Sequence, residues 1–239
     1  MRIFLCFLVL SFLQVAWTQV SLRSSVGLKK EITKKLDVSG SYEYRLNSSP
    51  IADKSLFEVK FNYDFSKAIG SFIAYRNGCE ENDFSAINNR VYKFDNRIAL
   101  GLNFSILDLF KLDKTRWKLN WTLQQQYTMR EFQAARNVLR NKVTCKYDIK
   151  NSIFTPFISS ELFYRWNQHV VYSENTVDVV HDVNLSQWRN FAGVELELSK
   201  NQKFTFQVGS RRNYQKSNQD WIVKVGYFAT LKKKKKSNN

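Results

Sequence analysis

The stretch Trp117-Lys118-Leu119-Asn120-Trp121-Thr122-Leu123-Gln124-Gln125-Gln126-Tyr127-Thr128-Met129-Arg130 alternates apolar and polar residues with one interruption. Trp117, Leu119, Trp121, Leu123, Tyr127 and Met129 share one parity. Lys118, Asn120, Thr122, Gln124, Gln126, Thr128 and Arg130 share the other. Successive side chains of a strand point to opposite faces, so the stretch predicts a strand with one apolar and one polar face. Its length exceeds the usual ~5–6 residues of a strand in a soluble sandwich. It is long enough to cross a membrane at a tilt, for which about 9–11 residues suffice.

The same pattern recurs outward from this stretch in both directions. Leu36, Val38, Tyr42, Tyr44 and Leu46 oppose Lys35, Asp37, Ser39, Ser41, Glu43 and Arg45. A helix would scatter these residues and leave no coherent stripe. Phe57, Val59, Phe61, Tyr63 and Phe65 alternate with Glu58, Lys60, Asn62 and Asp64, and Tyr92 to Phe104 repeats the rule opposite Lys93, Asp95 and Arg97. Later runs centre on Val143 to Ile149, Ile158 to Trp166, Ala192 to Leu198, Phe204 to Val208 and Trp221 to Leu231. Val20 to Lys30 is a weaker first strand that brings the count to eleven. Bacterial single-chain barrels have even strand numbers, so the expectation is an all-β, transmembrane antiparallel β-barrel of 10–12 strands.

Connections also alternate in character. Short turns fall at Glu31 to Lys34, Ser66 to Ala68, Lys150 to Ser152 and Lys200 to Gln202, with a longer link at Ser105 to Arg116. Between them lie polar stretches read as loops: Asn47 to Lys54, Asn77 to Asn89, Glu131 to Val138, Asn167 to Gln187 and Asn213 to Gln219. Short periplasmic turns with longer extracellular loops are the asymmetry of an outer-membrane barrel.

Composition agrees. The chain of 239 residues suits one barrel, and its 15% aromatic content rests mainly on 19 Phe and 11 Tyr. A mean hydropathy of −0.41 argues against a helical membrane protein. The first nineteen residues read as a cleaved signal peptide: Arg2, an apolar run from Ile3 to Leu13, then small residues at Ala16 and Thr18. The expected domains are therefore a signal peptide at 1–19, a barrel at 20–231 and a lysine-rich tail at 232–239. Export to the outer membrane of a Gram-negative bacterium follows as the expected localisation. The mature cysteines are Cys79, expected in a loop at one end, and Cys145, expected on the lipid face near the other end. That separation argues against a disulfide.

The net charge is +16, and without Arg2 and the run Lys232 to Lys236 the body keeps 31 basic against 21 acidic residues. No recognition helix, zinc-finger spacing or RNP-like strand accompanies this excess, so nucleic acid is not an expected partner. Anionic headgroups or a small anionic solute remain, with outer-membrane lipid as the solvent of the barrel.

The block Leu139-Arg140-Asn141-Lys142-Val143, then Tyr147-Asp148-Ile149-Lys150, then Thr155-Pro156-Phe157-Ile158-Ser159-Ser160-Glu161-Leu162-Phe163-Tyr164 resembles an outer-membrane barrel family catalogued as domain of unknown function 2490. Val26-Gly27-Leu28-Lys29-Lys30, Thr33-Lys34-Lys35-Leu36 and Val194-Glu195-Leu196 fit the same pattern. The resemblance implies an outer-membrane location and a barrel. It carries no activity and no catalytic residues. Val225 to Leu231 looks like the final aromatic strand that barrel-insertion machinery reads, although eight residues follow it.

The polar parity defines the candidate site. Lys60, Lys118, Arg130, Arg140, Lys142, Lys146, Arg165, Arg211 and Lys224 are expected to point inward, with Glu43, Glu58, Asp64, Asp148, Glu161, Glu195 and Glu197. Rings of Arg and Lys select anions in pores. The competing expectation is a lumen filled by satisfied ion pairs, which a narrow barrel favours. His169, His181, Glu174, Asp178 and Asp182 in the stretch Asn167 to Gln187 invite a hydrolase or metal reading. No nucleophile motif accompanies them, so neither catalytic residue, metal nor cofactor is expected. A surface binding protein working through Asn77 to Asn89 and Asn167 to Gln187 is the alternative function. Trp117, Trp121, Trp166, Trp188 and Trp221 read as membrane girdles, leaving Phe157, Phe163, Phe191 and Phe228 on the lumen side. Nothing in the sequence sets the oligomeric state.

Overall fold

The computed structural model describes residues 20–47, 54–84, 89–112, 115–130, 133–173, 176–214 and 218–232. At the outermost ends of the long hairpins only the backbone is described. Eleven strands close into one barrel. They are β1 (Val20–Glu31), β2 (Leu36–Asn47), β3 (Lys54–Asp64), β4 (Ile69–Phe84), β5 (Asn89–Ser105), β6 (Trp117–Arg130), β7 (Gln133–Tyr147), β8 (Phe154–Ser173), β9 (Thr176–Ser199), β10 (Gln202–Asn213) and β11 (Asn218–Leu231). Neighbours in sequence are neighbours in the sheet, and every such pair is antiparallel.

The eleven described strands fall within the expected 10–12, although the number is odd where bacterial single-chain barrels have even ones. Val20–Glu31 is a full strand, and it closes on β11 in parallel, from Val20 opposite Trp221 to Lys30 opposite Leu231. An odd up-and-down barrel has no other way to close, because its first and last strands run the same way. The two chain ends of the barrel therefore lie at opposite rims. Val20 sits at the rim of long hairpins, and Leu231 at the rim of short turns.

Short turns are built alike. The Thr33 hydroxyl accepts hydrogen bonds from the N–H groups of Lys35 (3.2 Å) and Leu36 (2.9 Å). Ser66 accepts from Ala68 and Ile69, Ser152 from Phe154, and Ser199 from Asn201. A hydroxyl that replaces a missing backbone acceptor stabilises a tight reversal. The longer link after β5 holds one short helix, α1 (Ile106–Leu109), which ends at Lys111 in the left-handed region (φ 57°).

At the opposite rim, three stretches expected as loops are mostly strand. β8 and β9 stay paired from Tyr164–Leu185 out to Ser173–Thr176, across most of Asn167 to Gln187. β4 and β5 likewise pair out to Phe84–Asn89. Most of Glu131 to Val138 belongs to β7. Asn77 to Asn89 is mostly polar and gives little alternation, whereas in Asn167 to Gln187 the alternation of Val177, Val179, Val183 and Leu185 with Asp178, Asp182 and Asn184 is itself a strand signal. Cys79 is accordingly on β4 rather than in a loop, and both cysteines are free.

Following hydrogen-bonded partners from Val20 through Trp221, Ser210, Asn190, Ser160, Val143, Trp121 and Phe104 leads to Ile69. That path runs from the long-hairpin rim to the short-turn rim, so the strands are strongly tilted, as barrel closure requires. The outer face exposes Leu28, Phe57, Phe61, Ile73, Leu100, Trp117, Val143 and Ile158. Buried polar residues such as Arg23, Asp95, Gln124 and Glu161 lie inside. Such an inside-out distribution makes this an outer-membrane-type β-barrel.

Candidate functional site: a basic lumen

Inside the wall, four phenylalanines lie over glycines of the adjacent strand. Phe72 pairs directly with Gly101, Phe157 with Gly193, Phe191 with Gly209, and Phe228 with Gly27. A Cβ added at Gly101 or Gly209 would fall 2.3 Å from the ring of Phe72 or Phe191, respectively. The glycines thus let large rings occupy the wall rather than the axis. Cations cover the other side of several rings: Lys60 stands 3.8 Å from the centroid of Phe72, and Lys224 4.1 Å from that of Phe191. Arg189 lies 4.5 Å from the centroid of Phe163. The contacts of Lys60 and Lys224 hold these two cations along the lumen without a carboxylate partner among the described residues.

A hollow of about 470 Å³ remains in the half of the barrel toward the long hairpins. Its lining holds twelve Lys and Arg side chains and four carboxylates, Glu43, Glu58, Asp95 and Glu161. Arginines from separate strands gather here. Arg45 lies in electrostatic reach of Arg76 and Arg211, Arg23 of Arg45 and Arg211, and Arg97 of Arg76 and Arg140. Together with Arg189 they form a collar drawn from β1, β2, β4, β5, β7, β9 and β10. A second hollow toward the short turns is lined by Lys29, Asp37, Asn62 and Phe228, and it shares Glu58, Lys60 and Asn103 with the first.

Glu161 is the anionic centre of the collar, with its side chain only 3% exposed. It accepts a hydrogen bond from Arg140 at 2.7 Å, and Lys142 and Arg189 approach at 3.5 and 3.9 Å. Arg76 pairs with Glu58, Arg211 with Asp220, and Arg45 with Glu43. No carboxylate lies within ion-pair distance of Arg23, Lys60, Arg97 or Lys224 among the described residues. Among the described residues, the buried Nε of Arg23 and of Arg140 has no hydrogen-bond partner. Cations therefore outnumber their protein partners, and the surplus guanidinium N–H groups converge where an anion can accept them.

The predicted site residues are placed as follows. Lys60, Arg140, Lys142, Arg165 and Lys224 line the hollow toward the long hairpins. Arg211 is half-buried beside Asp220. Lys146 pairs with Glu195. Lys118 stands at the short-turn rim, exposed and 3.4 Å from Asp148, away from the collar. The Arg130 side chain lies outside the described residues, as do those of His169, His181, Glu174, Asp178 and Asp182. Among the described residues no cluster suits a metal ion. Arg23, Arg45, Arg76, Arg97 and Arg189 complete the collar but were not singled out in the sequence. Arg45 and Arg97 stand on the polar parity of their strands, which is the signal that could have found them.

Among solved structures, the translocator domain of the autotransporter NalP from Neisseria meningitidis aligns over 81% of this chain and 73% of its own, with 8% identity and a TM-score of 0.41. No curated protein matches the chain in sequence. The profile of the family described as "Protein of unknown function (DUF2490)" matches residues 16–224. The chain belongs to the DUF2490 family.

Proposed function

We propose that this protein is an outer-membrane barrel of a Gram-negative cell whose lumen forms a narrow path for small anions. The observation that carries the reading is the lining of the hollow toward the long hairpins, twelve cations against four carboxylates. A low-dielectric wall focuses the field of such a surplus along the axis, enriching anions and repelling cations. The competing expectation of a lumen filled by neutralised pairs accounts for Arg76, Arg211 and Lys146, but not for Arg23, Lys60, Arg97 and Lys224. Export through a cleaved signal peptide and insertion from the periplasm fit the apolar outer face and the aromatic rims.

Proteoliposomes loaded with a halide-sensitive dye test the reading. Chloride entry should exceed that of empty vesicles and fall when Arg23 and Arg97 are both replaced by Gln. Chloride entry no faster than in empty vesicles would reject the path.

A further inference from the structure

Five neighbouring strands place a polar residue on the outer face where apolar residues are otherwise the rule. These are Gln125 on β6, Asn141 on β7, Ser160 on β8, Asn190 on β9 and Ser210 on β10. Ser160 pairs with Asn190, and Asn190 with Ser210. Asn141 is diagonal to Ser160, because Val143 pairs with Ser160, and Gln125 is diagonal to Asn141 by the same offset. Each diagonal step rises two residues toward the long-hairpin rim, offsetting the fall of the register path in that direction. From Ser210 to Ser160 the band follows the falling register path, and the two diagonal steps bring it back toward the long-hairpin rim by Gln125, so its two ends lie at similar depth. Apolar neighbours bracket it on four of the strands, Leu123 and Tyr127 on β6, Leu139 and Val143 on β7, Ile158 and Leu162 on β8, Trp188 and Ala192 on β9, whereas on β10 Val208 lies on one side and Arg212 on the other.

An amide in hydrocarbon without a partner is strongly disfavoured, because no water is there to replace the missing hydrogen bonds. Within the chain, the band is satisfied at one point only among the described contacts, where the Trp188 indole N–H donates to the Ser160 hydroxyl at 2.9 Å. Beside the band the outer wall is hollowed, by about 480 Å³, between Val143, Ile158 and Trp221, over the small residues Ala192, Gly209 and Ser210.

We infer that the β6–β10 face is the contact surface for a second copy of this chain. Two copies inserted in one orientation are related by an axis along the membrane normal, so a band whose two ends lie at similar depth meets itself end to end. Asn and Gln carry both donors and acceptors and are therefore self-complementary. Small residues in the hollow let the two walls approach, as in other membrane interfaces. The inference is independent of whether the lumen conducts.

Sedimentation equilibrium in density-matched micelles tests it, using protein whose folding is verified by heat-modifiable gel mobility. Wild type should self-associate to a dimer, and Gln125→Leu/Asn141→Leu/Asn190→Leu should weaken association about tenfold or more. A monomeric wild type at all concentrations, or unchanged association of the folded variant, would overturn the inference. Oxidative cross-linking in lipid provides the second arm, in a Cys79→Ser/Cys145→Ser background. Asn141→Cys should cross-link between copies, whereas Val59→Cys on β3 should not; equal yields would also overturn it.

Discussion

Removing the charge of Glu161 is the sharpest single perturbation of the lumen. Its carboxylate sits 2.7 Å from Arg140, 3.5 Å from Lys142 and 3.9 Å from Arg189. A unit charge pair at 4 Å is worth about 4 kcal/mol at an effective dielectric near 20. Desolvating a carboxylate offsets several kcal/mol of that gain, so three close cations leave a net contribution of about 3 kcal/mol when one partner is lost from a buried pair. Glu161→Gln keeps the shape of the side chain and an acceptor for Arg140, which isolates the charge. Urea unfolding of the refolded barrel in lipid vesicles, followed by tryptophan fluorescence, should show destabilisation of about 3 kcal/mol. The same variant should conduct anions with greater preference, because three cations lose their neutralising partner. Stability unchanged to within about 0.5 kcal/mol would refute the claim that Glu161 is what allows the collar to assemble.

Three further outcomes follow from the wall. Gly209→Ala should destabilise by about 2 kcal/mol or more in the same unfolding assay, since its Cβ would fall 2.1 Å from the Asn190 carbonyl oxygen; Gly40→Ala, with open space around it, should not. Thr33→Ala should cost about 1 kcal/mol through two backbone donors left without their acceptor, again read from the unfolding midpoint. The parallel seam predicts that Leu22→Cys with Val223→Cys, and Leu28→Cys with Ala229→Cys, both cross-link on oxidation in a background lacking Cys79 and Cys145. Cross-linking at neither end would exclude that seam.

Much of the barrel was legible because alternation is a local property. Trp117 to Arg130 and Phe57 to Asp64 announce strand, face and length from side chains alone. Where strands leave the apolar belt the signal thins, as in Asn77 to Asn89. In Asn167 to Gln187 it persists at Val177, Val179, Val183 and Leu185, but the histidines and carboxylates among them give the stretch the polarity of a loop although β8 and β9 pair through most of it. The parallel seam was not legible either, because it depends on the number of strands and on no residue within them. Parity placed Lys60, Arg140, Lys142 and Lys224 inward, where the structure also has them, but it says nothing of height along the axis. Lys118 therefore appeared equivalent to Arg140, yet it sits at the rim. Grouping Arg23, Arg45, Arg76, Arg97 and Arg189 in one collar needs the tilt of the strands, which only closure supplies. The room for a hollow rests on Phe72 and Phe191 lying against Gly101 and Gly209, pairings set by register.

Reversal potential across a planar bilayer under a potassium chloride gradient tests the central claim most directly. A lumen governed by the arginine collar should give stepwise currents that reverse near the chloride equilibrium potential, shifting toward zero when Arg23 and Arg97 become Gln. A silent bilayer with verified insertion, or reversal on the potassium side, would contradict it.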